Sequence, residues 1–228
     1  DRLLADATLP AGVPIARMVD PAMNAAMAET ALWAVLALHR GFFAYARAQR
    51  EGRWHAHVQE RAEEVPVLVL GQGQMGRTAA ARISQQGYPV TGWRRDSGTL
   101  APLLARSRIV INLLPLTPQT RGLLDASFFA ALPAQASIVN LGRGAHVIDA
   151  ELLAALDSGH LRHAVLDVFN TEPLPSGHPY WQHPRVTVLP HAAAATDPRS
   201  AAGVVAANLR ALREGCELVH CVDVRRGY

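Results

Sequence analysis

The chain has 228 residues, half of them hydrophobic and 18% charged, which allows one large or two small cores and argues against long disorder. Its 22 basic and 19 acidic residues nearly balance, and every basic residue is an arginine. The absence of lysine excludes Schiff-base chemistry by the chain and the lysine of a Walker phosphate loop, and no basic run or basic-aromatic stripe points to nucleic acid.

Residues 1–20 read as loop, punctuated by Pro10 and Pro14 and ending against Pro21, with a short apolar stretch at 13–15 as a candidate strand. A single long helix is expected over 23–49, where Leu32, Val35, Leu36 and Leu38 recur at helical spacing and Phe42 and Phe43 continue them. Its surplus of apolar surface suggests packing against a second subunit. Trp54, just beyond, reads as a packing residue, the alternative being that it reaches a neighbouring subunit's site. The longest apolar run, 31–38, is far short of the ~20 residues of a membrane span, so no membrane partner is expected and a cytoplasmic location is the default.

From residue 65 the rhythm becomes strand, turn, helix. Strands are expected at 65–70, 90–93, 109–114, 137–141, 164–168 and 186–189. Helices are expected at 75–86, 100–107, 125–132, 149–158 and 199–214, with Asp149 as an N-cap and Gly159 past the end of its helix. His160 and His163 read as surface residues. This alternation predicts an α/β fold, a doubly wound parallel sheet of Rossmann type. Near the end, Cys216 and Cys221 imply no disulfide framework, and with His220 they match no familiar zinc spacing, so no metal is expected. Arg225-Arg226 reads as a solvated dipeptide.

The first strand runs straight into Gly71-Gln72-Gly73-Gln74-Met75-Gly76. A GxGxxG that follows a strand and opens a helix is a dinucleotide fingerprint. Gly71 allows the tight turn, Gly73 lets backbone approach a pyrophosphate, and Gly76 lets helix and strand pack closely. The helix N-terminus, from Gln74 and Met75, then faces the phosphates. At the end of the second strand an NAD site places Asp or Glu. Here stand Trp93, Arg94 and Arg95, and a guanidinium grips a 2′-phosphate that a carboxylate repels. The expected cofactor is therefore NADP(H), the competing reading being that Asp96 serves the ribose.

Three later segments bring polar residues to strand ends: Asn140-Leu141-Gly142-Arg143-Gly144, Asp167-Val168-Phe169-Asn170-Thr171-Glu172-Pro173, and Leu189-Pro190-His191. With Asn112-Leu113-Leu114-Pro115, Thr117, Thr120 and the run from Tyr180 to Val186, the sequence resembles the D-2-hydroxyacid dehydrogenase family, in its glyoxylate/hydroxypyruvate reductase A branch. The resemblance runs from Asp1 to Tyr228. It implies that Arg143 binds a substrate carboxylate and polarises its carbonyl, that His191 is the general acid, and that Glu172 orients the ring and favours its protonated form. It also implies that Asp167 holds the nicotinamide carboxamide, and that Leu114, Pro115, Leu116, Thr120, Leu141 and Gly142 line the cofactor. Trp181 is a candidate wall of the substrate pocket.

The resemblance further implies a homodimer acting on a small 2-keto acid, glyoxylate or hydroxypyruvate, with another 2-keto acid or a dinucleotide-sensing, corepressor-like interaction role as alternatives. Two departures accompany it. Relatives carry a leading segment before Asp1 that forms most of a flavodoxin-like substrate domain, so residues 1–20 are expected to be its remnant, 21–195 the cofactor domain, and 196–228 a helix and tail returning to the substrate domain. The stretch 95–100 is also shorter than in relatives, which place a further strand there.

Overall fold

The computed structural model describes residues 6–10 and 12–222. Asp1 and the terminal Arg225, Arg226, Gly227 and Tyr228 lie outside them. Six parallel strands form one sheet: β1 (Val67–Leu70), β2 (Val90–Trp93), β3 (Ile109–Asn112), β4 (Ala136–Asn140), β5 (Leu161–Leu166) and β6 (Val186–Val188), in the order β2-β1-β3-β4-β5-β6. The chain leaves β1 to one side for β2 and returns to its other side for β3. That reversal is the switch point at which such sheets open a crevice.

Side chains alternate across the sheet with period two. Leu68, Leu70, Val110, Ile138, Ala164 and Leu166 face one core, which Phe128 and Phe129 of α5 (Ala126–Ala130) and Leu152 and Leu156 of α6 (Asp149–Asp157) complete. Val67, Val69, Ile109, Ile111, Val139 and Val165 face the other, covered by α1 (Pro21–His39) and α3 (Gln74–Ser84). Burial on both faces explains why β1, and β3 up to Asn112, read as apolar runs. Burying a Val, Leu or Ile side chain is worth roughly 1.5–3 kcal/mol, so the two layers dominate the stability of the fold. Helix α1 is long and apolar enough to span a bilayer by length and composition, yet it packs on α3 and the sheet, with Ala31, Ala34 and Val35 fully buried.

Several expectations are corrected. The helix expected over 23–49 is two helices, α1 and α2 (Phe42–Arg50), broken at Gly41, whose φ of +72° a helix does not accommodate. The apolar stretch 13–15 forms no strand, and only an antiparallel bridge joins Ala16 to Cys221. The N-cap of α6 is Ile148, and Asp149 is its first helical residue. Trp54 is fully exposed and packs on nothing among the described residues. In keeping with its shortness, the 95–100 stretch forms no strand, and β2 is the edge of the sheet.

Nor is either histidine near β5 a surface residue. His160 is half-buried, its Nε2 2.8 Å from the Phe129 carbonyl. His163 is buried, stacked on Phe43 with ring centroids 4.4 Å apart, and its Nε2 lies 2.9 Å from Thr187 Oγ1. It sits on the inward side of β5, two residues from both Leu161 and Val165. Burial, reinforced by the charges of Arg162 and Arg47, pushes its pKa from 6.5 down to about 3. Below pH 6.5 the unfolded chain takes up a proton that the folded chain refuses until about pH 3, so stability falls as pH drops through that window. The expected loss is on the order of a few kcal/mol. His163→Gln keeps a polar atom near Thr187 and does not titrate, so its urea-unfolding free energy should decline less steeply between pH 6.5 and 4. Parallel slopes for the two proteins would refute this.

Candidate active site

Strand register decides which loops meet. Leu70 pairs with Trp93 and Asn112, Asn112 with Asn140, Asn140 with Leu166, and Leu166 with Val188. All six carboxyl ends therefore lie on one edge, and Gly71, Arg94, Leu114, Arg143, Asp167 and His191 follow directly from it.

The glycine turn has the shape a diphosphate needs. Gly71 has φ +97°, and a Cβ there would lie 2.6 Å from the Leu113 carbonyl oxygen. At Gly76 a Cβ would collide with the Gly71 carbonyl, so helix and turn touch backbone to backbone. Gly73 caps α3 without a side-chain hydrogen bond, and a Cβ there would meet only open space. Helix N–H groups thus face an open cradle at the positive end of the helix dipole, which fits a dinucleotide diphosphate. Gln74 is exposed and Met75 half-buried.

The flanks are less uniform. Trp93 is buried, and its indole N–H donates to the Gly98 carbonyl at 3.0 Å, so its ring belongs to the core. Arg94 is exposed and pairs through Nε with Asp96 at 2.7 Å, while Arg95 Nη1 donates to Gln119 at 3.2 Å. Leu114 and Leu141 are buried, Pro115 and Leu116 half-buried. Thr120 is buried, and its hydroxyl donates to the Pro115 carbonyl and accepts from the Thr117 N–H, both at 2.8 Å. It thereby shapes the 115–120 turn.

On the other side of the crevice, His191 Nδ1 lies 2.7 Å from Glu172 Oε2, and Glu172 Oε1 accepts the Phe169 N–H at 2.9 Å. Burial pushes the Glu172 carboxyl up, but these hydrogen bonds and the charges of His191 and Arg143 outweigh it and hold the group below its ordinary value. A carboxylate only accepts, so Nδ1 carries a hydrogen, and Nε2 is the ring atom left to act. His191 itself stands in the left-handed region, φ +53°. Asp167 maintains that turn: its carbonyl accepts the His191 N–H at 2.9 Å and its carboxylate accepts the Ala192 N–H at 2.7 Å and the Ala193 N–H at 3.1 Å. Burial raises the Asp167 pKa against those bonds. Thr30 of α1 donates to the Ala193 carbonyl at 2.8 Å, tying the turn to the helix layer.

The loop carrying Glu172 is pinned from below. Asp149 accepts the Tyr180 hydroxyl at 2.9 Å and Asn170 Nδ2 at 3.1 Å, and burial, then the Asp149 charge, pushes the Tyr180 phenol up. Trp181 is 46% exposed, its indole N–H donating to the Pro175 carbonyl at 2.9 Å. Arg143 is exposed, with Nη1 2.7 Å from the Gly142 carbonyl, and its charge reaches Glu172. Among the described residues no group of three or more His, Cys, Asp or Glu could hold a metal ion.

Residues 32–193 match the family model described as D-isomer specific 2-hydroxyacid dehydrogenase, NAD binding domain. The chain belongs to the D-isomer specific 2-hydroxyacid dehydrogenase family. A glyoxylate/hydroxypyruvate reductase A from Yersinia enterocolitica is 41% identical over 97% of this chain and 74% of that protein. A D-isomer specific 2-hydroxyacid dehydrogenase from Xanthobacter autotrophicus Py2, solved in complex with NADPH and MES, superposes with a TM-score of 0.96 at 43% identity, covering 100% of this chain and 99% of the other. An NADPH-dependent glyoxylate/hydroxypyruvate reductase from Sinorhizobium meliloti, solved with NADP and sulfate, gives 0.94 at 34% identity over 99% and 76%. As a member of this family, the chain carries its glycine turn and the His191–Glu172 pair on opposite flanks of one strand-end crevice.

Proposed function

We propose that the protein is an NADPH-dependent reductase of small 2-keto acids, converting glyoxylate to glycolate and hydroxypyruvate to D-glycerate. The observation that carries this reading is the His191–Glu172 pair, 2.7 Å apart, on the strand-end edge that also holds Arg143 and the open glycine cradle. The names of the similar proteins support it. When bound, the cofactor supplies a hydride. Gly71, Gly73, Gln74, Met75 and Gly76 would hold its diphosphate, with Leu114, Pro115, Leu116, Thr120, Leu141 and Gly142 beside it. Arg94 and Arg95 would take the 2′-phosphate. Arg143 would bind the keto acid's carboxylate through a forked pair of hydrogen bonds. His191 would hold at Nε2 the proton that ends on the substrate oxygen, and Glu172 keeps the ring aimed. Asp167 anchors the turn that presents His191, and Trp181 would flank the acid.

Exposed Trp33, Phe42, Trp54 and Val58 supply the apolar surface of a homodimer. Residues 6–20 and 196–222 read as the part that turns toward a second domain. In support, α7 (Pro198–Arg213) exposes Val205, Leu209 and Leu212, and Asp20 accepts the Ser200 hydroxyl at 2.6 Å.

A panel of 2-keto acids assayed with NADPH and NADH tests the reading. Glyoxylate and hydroxypyruvate should give the highest kcat/KM, with NADPH preferred. Arg94→Ala should raise the KM for NADPH about 10- to 100-fold, the worth of a charge-assisted hydrogen bond, and leave that for NADH nearly unchanged. Tight NADPH binding with no turnover of any acid would favour the sensor role instead.

A further inference from the structure

Behind the strand ends lies a buried polar cluster that none of these roles uses. His146 is 0% exposed and stands three residues past Arg143. Its Nδ1 lies 3.2 Å from the Arg143 backbone N and 2.9 Å from Asn112 Nδ2. Both neighbours are donors, so Nδ1 is the bare nitrogen and Nε2 carries the hydrogen. That hydrogen is directed at the Pro115 carbonyl, with Nε2 3.3 Å from its oxygen. Asn112 Nδ2 donates also to Asn140 Oδ1 at 2.9 Å, and Asn140 Nδ2 donates to the Arg143 carbonyl at 3.0 Å. The peptide groups of Arg143 are therefore held on both sides, the N–H by His146 and the carbonyl by Asn140. The same two asparagines accept the N–H groups of Leu114 and Gly142, each at 3.2 Å. Glycine at 142 is part of the arrangement: a Cβ there would come within 3.1 Å of Asn112 Nδ2 and 3.3 Å of His146 Nδ1.

We propose that His146 is a positioning residue for the reaction, its two ring nitrogens fixing the Arg143 loop on one side and the Pro115 turn on the other. The inference rests on the substrate role given to Arg143 above. Each nitrogen serves a different loop, which a residue that only fills space does not require. Asn112 closes β3 and Asn140 closes β4, so the cluster transfers the strand register directly to the two loops. Burial keeps the ring neutral by pushing its pKa below the ordinary histidine value, although the bonds at Pro115 and Arg143 act the other way. A neutral ring is what an acceptor at Nδ1 requires.

Two amide substitutions separate the nitrogens, because the Asn side chain places polar atoms near the position of Nδ1 and the Gln side chain near that of Nε2. His146→Gln keeps a partner for Pro115 and removes the acceptor of the Arg143 N–H. Its KM for glyoxylate should rise about tenfold or more, while NADPH affinity, measured by fluorescence titration, stays within about twofold. His146→Asn keeps the Arg143 acceptor and should show the opposite split. Amide hydrogen exchange on the unliganded protein reads the same geometry without turnover. The Arg143 N–H should be protected in the wild type and in His146→Asn and exchange freely in His146→Gln. Nitrogen NMR of the wild type requires no variant, and it should find the Nε2–H tautomer at neutral pH.

An unchanged glyoxylate KM in a folded His146→Gln, equal losses of both affinities in the two variants, or an Nδ1–H tautomer would each overturn the proposal. A wild-type protein that reduces no 2-keto acid would overturn the reductase reading instead, and the exchange pattern would still decide what His146 holds.

Discussion

His191→Ala is expected to lower kcat for glyoxylate about 10²- to 10⁴-fold, the range over which a positioned general acid contributes, while NADPH binds nearly as before. The fold should tolerate the change. The side chains of His191 and Glu172 are 53% and 36% exposed, and an ion pair so open to water contributes about 1 kcal/mol at most. The bonds that shape the turn belong to the backbone: the His191 N–H to the Asp167 carbonyl, and the Ala192 and Ala193 N–H groups to the Asp167 carboxylate. Alanine retains them, and it meets the same left-handed φ of +53° that histidine accepts. Stopped-flow turnover beside a fluorescence titration of NADPH checks the split. Equal loss of turnover and cofactor affinity would assign His191 a cofactor-binding role.

Glu172→Gln supplies the companion measurement. The Glu172 carboxyl lies below its ordinary value, so the sign is that of a depressed acid. Its pairing is fully present above the usual carboxylate range and is lost as pH falls through the depressed value. Across neutral pH the carboxylate is charged and accepts the ring N–H of its partner. The amide does not titrate, so the acid limb that protonation of Glu172 imposes on the wild-type reduction profile should be missing from the variant. A profile that superposes on the wild type would disconnect Glu172 from proton delivery.

What the sequence disclosed follows from how the sheet is buried. Strands covered on both faces appear as apolar runs. That is why 67–70 and 109–112 are legible, whereas the edge strand 90–93 is only half-buried, and the loops beyond the strand ends carry the chemistry. Helix boundaries were less visible. Phe42 and Phe43 extend the apolar pattern of α1 and conceal the break, although Arg40-Gly41 carries the signal for it. A strand begun at Ala164 leaves His163 outside it, whereas the alternation of Leu161, His163 and Val165 places the ring inward.

The His146 cluster escaped for a different reason. Asn112 and Asn140 each close a fully buried strand, and a buried amide at such a place must find partners. The partner for Asn112 stands 34 residues away, at His146, and no local pattern announces it. Asp149 is a similar case. An acid at the start of a helix suggests a cap, but its partners, Tyr180 and Asn170, are supplied by a loop that only the folded sheet brings near.

Gly144→Ala should damage the substrate side of the crevice severely. A Cβ at Gly144 would collide with the carbonyl carbon and oxygen of Phe169 and come within 2.5 Å of the Asn170 N. These are backbone atoms and cannot swing aside as a side-chain tip can. Residue 144 follows Arg143, and Phe169 donates its N–H to Glu172, so the collision wedges apart the two loops that carry the proposed catalytic groups. Overpacking of this kind costs about 1–3 kcal/mol of stability or more, and a displacement near 1 Å at a reacting centre can cost about 10²-fold in rate. Gly73→Ala is the control, because a methyl there meets nothing within 4 Å and its φ of −70° suits alanine. Its melting temperature should be unchanged and its NADPH affinity reduced, since the methyl occupies the space that a diphosphate needs. Gly144→Ala should instead lose stability and kcat/KM for the keto acid together while the glycine turn still binds NADPH. If the two variants cannot be told apart by melting temperature and cofactor titration, the separation of the crevice into a cofactor flank and a proton-delivering flank is wrong.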